Sequence, residues 1–556
     1  MKKFLFLFVA ISLSLLALTG CDAVSGIIDG ILGGSGNSEP GDQNGGQTGT
    51  HDSNKCTEGL TFELTEDGNY TVSGYSGSDP EVYIPLTYEE KPVTSIKENA
   101  FKNNATITKL NLEKNITVIG AKAFENAACL EKVSFYEEPE SFTVNPSAFS
   151  GCAVLKKFNL PSTTVRIGAR AFAGCNKLQQ TIDGLTYVGN WVTLCDLNAT
   201  SVQINKDTVG IADSAFSGTA ISSITIPAKV KYIGTAAFLR CISLTTVAYS
   251  NGATLEVIAD EAFMECSALA DVKIPQTIKS IGTFVFKECP ALVSIAIPET
   301  CNAYSSYKNA LLIDKSTKTL IFGCNVEKCD IPADGSVEHI GDYAFYKNTA
   351  YSLPRIPAPV KTIGKYAFAS CKTLKYVSIE NNSELEVIDD YAFRYAGFST
   401  LTFGTNSKLR EIKKGSFEYL HTGISTITIP ASLEIIGEGA FAGDWPLISI
   451  YFEEGSKLKT ISKDAFRGCS YLKDITLPDG VKEIGEGAFF NCHNLVTAYI
   501  PASVEIMGKS AFDFEVKPSY APMNPKIRCA ASEKPAGWSE GWYSEKFEEP
   551  IWNYTP

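Results

Sequence analysis

A chain of 556 residues exceeds the roughly 250–300 at which one compact core stops growing, so several domains or a repeat must follow. Its 44% hydrophobic and 11% aromatic content excludes a disordered chain. The formal net charge of −13, spread without a basic stripe, argues against a nucleic-acid partner.

The first twenty residues read as a targeting segment. Lys2 and Lys3 form its basic start, and the apolar stretch over 4–18 is too short for a spanning helix. It runs into Leu18-Thr19-Gly20-Cys21, which resembles the bacterial lipobox, whose cysteine is lipid-modified and then becomes the new N-terminus. That resemblance implies lipidation at Cys21, a membrane contact made through the lipid, and a place in the cell envelope, at the outer membrane or cell surface. Each buried CH₂ contributes about 0.8 kcal/mol, so two or three acyl chains anchor where one does not. Loss of Lys2 and Lys3 takes the balance to −15, a surface that anionic lipid repels. Residues 21–54, rich in Gly, Ser and Asn, read as a flexible tether with a span of roughly 30 Å.

Beyond the tether the chain repeats itself. Ala-Phe, or a close substitute, recurs sixteen times from Phe101 to Phe512, and thirteen of the fifteen gaps are 22–25 residues. Such a period marks a solenoid. One unit reads Leu269-x-x-Val272-x-Ile274-Pro275-x-x-Ile278-x-x-Ile281-Gly282-x-x-Val285-Phe286-x-x-Cys289. Its first segment alternates apolar and polar residues, the mark of a half-buried strand, and Pro275 ends it by removing a ladder donor. Gly282 is expected to permit a turn, and residues 283–287 to form one turn of 3₁₀ or α helix. Phenylalanines from successive coils should stack in one interior column. In units with a polar loop instead of Pro, the distance from strand to Phe grows from 12 to 14 residues, an insertion that a loop absorbs and a packed column does not.

These units resemble the BspA-like leucine-rich repeat family, whose pattern is close to Leu-x-x-Ile-x-Ile-Pro-x-x-Val-x-x-Ile-Gly-x-x-Ala-Phe-x-x-Cys. The match extends over about residues 59–530. It implies an α/β solenoid of short parallel strands with 22–25-residue coils: an N-terminal β cap over 55–96, repeats over 97–526, and a C-terminal Trp-rich cap over 527–556. The resemblance also implies adhesion or protein–protein recognition at a bacterial surface, with host matrix or other cells as ligands. A glycan-binding surface lipoprotein and a structural envelope scaffold are the alternatives.

The two long gaps, 44 and 59 residues, hold hairpins. "LTYVGNWVTL" (185–194) turns at Gly189-Asn190, and "ALLIDKSTKTLIF" (310–322) forms a longer one. Eight cysteines, among them Cys152, Cys289, Cys371 and Cys469, lie three residues after a repeat Phe. In-register side chains point the same way, which fits disulfide geometry poorly, so they read as small buried residues with free thiols. Cys56, Cys195, Cys301, Cys324, Cys329 and Cys529 lie off this column, and their connectivity stays open. In the coil of Phe441 the cysteine position is Asp444, followed by Trp445. Because an unpaired buried carboxylate is expensive, Asp444 is expected to turn outward and break the column there.

No zinc, phosphate or calcium motif appears, and His339, His421 and His493 are scattered, so neither enzyme activity nor a metal or cofactor is expected. The outward strand positions instead form a column of hydroxyls punctuated by tyrosine. Tyr376, Thr402, Thr428, Tyr451, Thr476 and Tyr499 are its candidate binding residues, on a face roughly 75 Å long before curvature. Trp538, Trp542 and Trp552 are expected to cover the open end of the core.

Overall fold

The computed structural model describes residues 51–350, 354–444, 446–514, 526–545 and 547–555. The lipobox with Cys21, the tether up to residue 50, and Trp445 lie outside the described residues.

Each coil has three sides. The first is the expected strand, which stacks in parallel on its neighbours: Ser223–Ile226, Thr246–Tyr249, Asp271–Lys273 and Ser294–Ala296 form one such sheet. Its register is residue for residue, with Ile224 opposite Val247 and Thr225 opposite Ala248. Ile224 and Val247 are buried while Thr225 and Ala248 are exposed, as the alternation demands. We call this stack the front ladder.

The second side is a strand that the sequence pattern did not isolate. The two residues before the repeat glycine position pair in parallel, as in Glu483–Ile484 with Ile506–Met507, and the longest back ladder holds eight such strands, from His339–Ile340 to Ile506–Met507, beyond the second meander. Two residues are too short for alternation to register in a sequence, yet they hold the coils at strand spacing. The glycine that follows acts through close approach rather than through a turn. A Cβ on Gly282 would lie 2.5 Å from the Asp260 amide nitrogen, and one on Gly120 would lie 2.5 Å from that of Glu98.

The third side carries the phenylalanine, and here the expected helical turn is absent. The residue two before each of the sixteen repeat phenylalanines has positive φ, for example Asn99 at 62° and Ser510 at 54°. A left-handed residue on every coil breaks an α helix. The amides alternate instead. Asn99, Phe101 and Asn103 donate to the next coil at Ala121, Ala123 and Glu125 (3.1, 2.7 and 2.7 Å), while Ala100, Lys102 and Asn104 donate three residues back (3.2, 3.1 and 3.1 Å). The turn is thus a third inter-coil ladder, and the α component of the expected fold gives way to strand and turn among the described residues.

Inside, the phenylalanine column is real. Phe101, Phe124 and Phe149 stack at 4.8 and 5.0 Å with rings within 10° of parallel. The run from Phe345 to Phe512 is unbroken, its rings separated by 4.9 to 5.3 Å. Each ring is at most 2% exposed, which is worth roughly 1.5–3 kcal/mol apiece. No coil buries this surface alone, so cohesion belongs to the stack.

The column breaks at the two hairpins. Leu185–Val188 and Trp191–Cys195 pair antiparallel across Gly189-Asn190, as expected, and Gln180–Ile182 adds a third strand. Leu311–Asp314 and Thr319–Gly323 do the same, preceded by Tyr304–Tyr307. Both meanders join the back ladder, at Gly210–Ile211 and His339–Ile340. The N-terminal cap is the pair Leu60–Leu64 and Tyr70–Tyr75, continued in parallel by Lys91–Ile96. At the other end Lys526–Cys529 adds a front rung. Trp542 meets the last column ring, Phe512, edge on at 6.3 Å, and Trp538 donates to the Val504 carbonyl at 3.1 Å.

Candidate functional site

The front ladder displays the sequence's candidate residues on a rigid backbone. Thr428 lies opposite Tyr451, and Thr476 opposite Tyr499. Between these pairs the ladder narrows to a single match, Ser449 with Asp474. Tyr451 is 57% exposed and Tyr376 38%, whereas Tyr499 is half-buried with its ring 6.2 Å from Tyr554. Thr402 stands on a different sheet, where it donates to the Ser378 hydroxyl at 3.3 Å, and Tyr376 immediately precedes that sheet's strand Val377–Ile379. The six residues therefore fall into two groups. The front face is divided into four sheets, and the continuous 75 Å strip expected from the coil count is a broken one.

A second surface escaped the sequence reading. At the left-handed position two residues before the Phe, Tyr343, Tyr366 and Tyr391 stack on one another at 4.9 and 5.1 Å. Two residues after it, Tyr395 and Tyr419 stack at 5.7 Å. Arg394 lies over Tyr391 and Tyr395, and Lys287 over Tyr343. Bulky side chains are uncommon at φ > 0, and ring stacking of about 0.5–1.5 kcal/mol per pair offsets part of the strain. The signal was present as "DYAF", "KYAF" and "DYAF" in successive repeats (342–345, 365–368, 390–393). Tyr366, the middle ring of its run, has both faces on its neighbours and offers an edge and a hydroxyl rather than a stacking platform.

The cysteine column is not merely apolar filling. All eight thiols donate to the carbonyl of the preceding coil's phenylalanine, for example Cys152 to Phe124 (3.0 Å), Cys371 to Phe345 (2.9 Å) and Cys469 to Phe441 (3.3 Å). Burial pushes Cys289, Cys371 and Cys492 up to about 12, so these thiols stay protonated and unreactive. Every described cysteine is free, including Cys56, Cys195, Cys301, Cys324, Cys329 and Cys529, as is Cys129, a half-buried residue outside both groups.

Asp444 departs from expectation. It does not turn outward: it is fully buried, in the column position, and neither carboxyl oxygen has a partner of hydrogen-bonding geometry. Burial holds its pKa well above the usual carboxylate range, and the nearby Ile424 amide offsets only part of that. The coil tolerates it because the residue facing the carboxyl is Gly423, where a Cβ would lie 2.5 Å from Oδ1. Neutral, the acid is a donor like the thiols around it.

For catalysis the described residues offer little grouping. No three His, Cys, Asp or Glu side chains converge as metal ligands among them. Among the described residues the ion pair with the most buried carboxylate, Arg166 with Asp213 at 2.7 Å, ties the coil before the first hairpin to the coil after it, and Asp213 also accepts from the Thr235 amide at 2.9 Å. Trp538 and Trp542 are each 3% exposed at the end of the core, and half-buried Trp552 lies 5.9 Å from Trp538.

Among solved structures the chain is similar to a leucine-rich cell surface protein from Faecalibacterium prausnitzii A2-165, at 22% identity over 84% of this chain and 95% of that one, with a TM-score of 0.28. A leucine-rich repeat protein from Bacteroides ovatus ATCC 8483 is 22% identical over 89% and 98% (TM-score 0.33). The pneumococcal vaccine antigen PcpA is 17% identical over 90% and 98% (TM-score 0.39). No curated protein matches. A family model described as the BspA-type leucine-rich repeat region matches residues 94–192, 186–310, 315–444 and 386–517. With that match over most of its length and the Phe, Gly and Cys of the repeat in their structural places, the chain belongs to the BspA-type leucine-rich repeat family.

Proposed function

We propose that this protein is a lipid-anchored surface protein that recognises or adheres to a protein ligand, of host matrix or of another cell. Cys21 carries the lipid, residues 21–54 are the tether, and the solenoid is the binding body. The family supports the coarser part of this reading, since BspA-type repeats belong to bacterial surface proteins of recognition and adhesion. The observation that carries it is the front ladder Thr428–Tyr451 and Thr476–Tyr499, where exposed Tyr451 and half-buried Tyr499 stand on backbone already fixed by parallel pairing. Such anchors lose little entropy on binding and suit a macromolecule rather than a metabolite.

The test is a panel of immobilised matrix proteins and glycans against the purified solenoid. Binding to a protein that Tyr451→Ala weakens, with the circular dichroism spectrum unchanged, supports the reading. Binding to glycans alone, or unchanged affinity in Tyr451→Ala and Thr428→Ala, rejects it. Palmitate labelling that Cys21→Ala abolishes tests the anchor separately.

A further inference from the structure

The front ladder stops abruptly at the first hairpin. Lys157–Phe158 is the last strand of its sheet, paired with Lys132–Phe135 on one side and with no described strand on the other. The next regular front strand is Ser223–Ile226, because the chain between them leaves the front to build the meander of the back ladder. Elsewhere the inward-facing residue sends its amide to the following coil: Ile84 donates to Asn111 and Leu477 to Tyr499, each at 3.1 Å. By the same rule Phe158 directs its backbone donor and acceptor at the interruption, where no described strand meets it.

Two further observations describe what this edge fits. A cavity of about 450 Å³ lies against it, its wall including Phe158, Leu160, Leu178 and Trp191, with Lys156 and Lys157 among its polar lining. The charge there is opposite to that of the protein. Lys132 and Lys157 are direct cross-strand partners, and like charges so placed repel. Of Lys132, Lys156, Lys157 and Lys177, Lys156 alone is ion-paired among the described residues, to Glu131 at 2.7 Å. Lys177 acts on the same carboxylate from further off.

We propose that the interruption is a peptide slot: an extended, acidic segment of a protein ligand adds to the Phe158 edge as the next parallel rung. Its apolar side chains enter the cavity and its carboxylates relieve the Lys132–Lys157 repulsion. This rests on the recognition reading and gives its ligand a chemistry. Bound main chain supplies the hydrogen bonds, while the lysines and the cavity select alternating acidic and apolar residues.

Fluorescence polarisation with a labelled octapeptide, Asp-Val-Glu-Val-Asp-Val-Glu-Val, tests it on the soluble chain lacking the first twenty residues. Saturable binding is expected, weakened about tenfold by alternate N-methylation of the peptide or by Lys157→Glu with Lys177→Glu, both exposed positions. Equal binding of the N-methylated peptide, retention by the charge-reversed variant, or no binding at all overturns the slot. So does self-association of the solenoid that the charge reversal abolishes, which would make a second copy the occupant. Matrix-protein binding that persists and depends on Tyr451 while the peptide fails leaves the recognition reading standing and removes only the slot.

Discussion

Replacing Asp444 by cysteine should stabilise the protein. The eight other coils that place cysteine here donate a thiol hydrogen to the preceding phenylalanine carbonyl, and the register sets Phe417 as the acceptor for position 444. Asp444 is buried with no hydrogen-bond partner for either carboxyl oxygen, and burial favours the protonated acid in the folded coil. Keeping a carboxyl protonated at pH 7 costs at most about 4 kcal/mol, from roughly three pH units above its ordinary value at 1.36 kcal/mol each. A cysteine needs no such cost, and it restores a hydrogen bond worth about 1 kcal/mol. Asp444→Cys should therefore gain about 1–5 kcal/mol at pH 7. The sign of the pH dependence follows from the upward shift. The proton's contribution is complete below the unfolded pKa, and wild-type stability declines as pH rises from there towards the folded value. The variant's advantage should shrink on acidification towards pH 4. Urea unfolding at acidic and neutral pH reads this, with hydrogen exchange of the coils around 417–470 as the local measure, because a solenoid unfolds in parts. A variant less stable than wild type, or an advantage that does not change with pH, would refute the reasoning.

Three more outcomes follow from the geometry. Arg166→Ala leaves the Asp213 carboxylate buried without its partner and should cost about 3 kcal/mol, seen as early exchange of the coils flanking the first hairpin. Gly282→Ala drives a Cβ to 2.5 Å of both the Asp260 amide and its carboxyl and should cost about 1–3 kcal/mol in urea unfolding, whereas Gly252→Ala, at a φ of +74° in open space, should cost about 1. Thiol titration of the folded protein should label exposed Cys56 and spare the eight column cysteines until denaturant is added; fast labelling of the column would contradict the burial described for it.

The front strand and the phenylalanine column were legible because both rest on side-chain periodicity. The hairpins were legible because Gly189-Asn190 is a turn signal of its own. What stayed hidden lives in the backbone. A two-residue back strand has no alternation to read, and the left-handed residue two before each phenylalanine ranges from Gly, Ser and Asn to Lys, Glu and Tyr in different coils, so no residue type announces it. Gly282 was assigned a turn from its conformational freedom alone, while its actual constraint is a neighbouring coil 25 residues or fewer away in sequence and in van der Waals contact in space. Asp444 was misread for a related reason. Expecting an aspartate to turn outward treats it as a charge, but in a column of thiol donors the same group can remain as a neutral acid.

That distinction bears on where the binding chemistry of a solenoid resides. A coil in register must satisfy three ladders at once, which leaves its exposed positions free to vary but its backbone groups spoken for. Tyrosine on the front face can therefore change ligand preference without altering the frame, and Thr428 opposite Tyr451 is of this kind. Unpaired backbone arises where a ladder is interrupted, and the first hairpin interrupts the front while the back continues from Trp191–Cys195 into Gly210–Ile211. The insertion leaves a strand edge, a cavity and uncompensated lysines at one place. A recognition mode that uses main-chain hydrogen bonds is open at such a break and closed along the regular coils. If the proposed ladder site and the proposed slot both bind, their contributions are separable, and variants at Tyr451 and at Lys157 should act independently on a ligand that spans both.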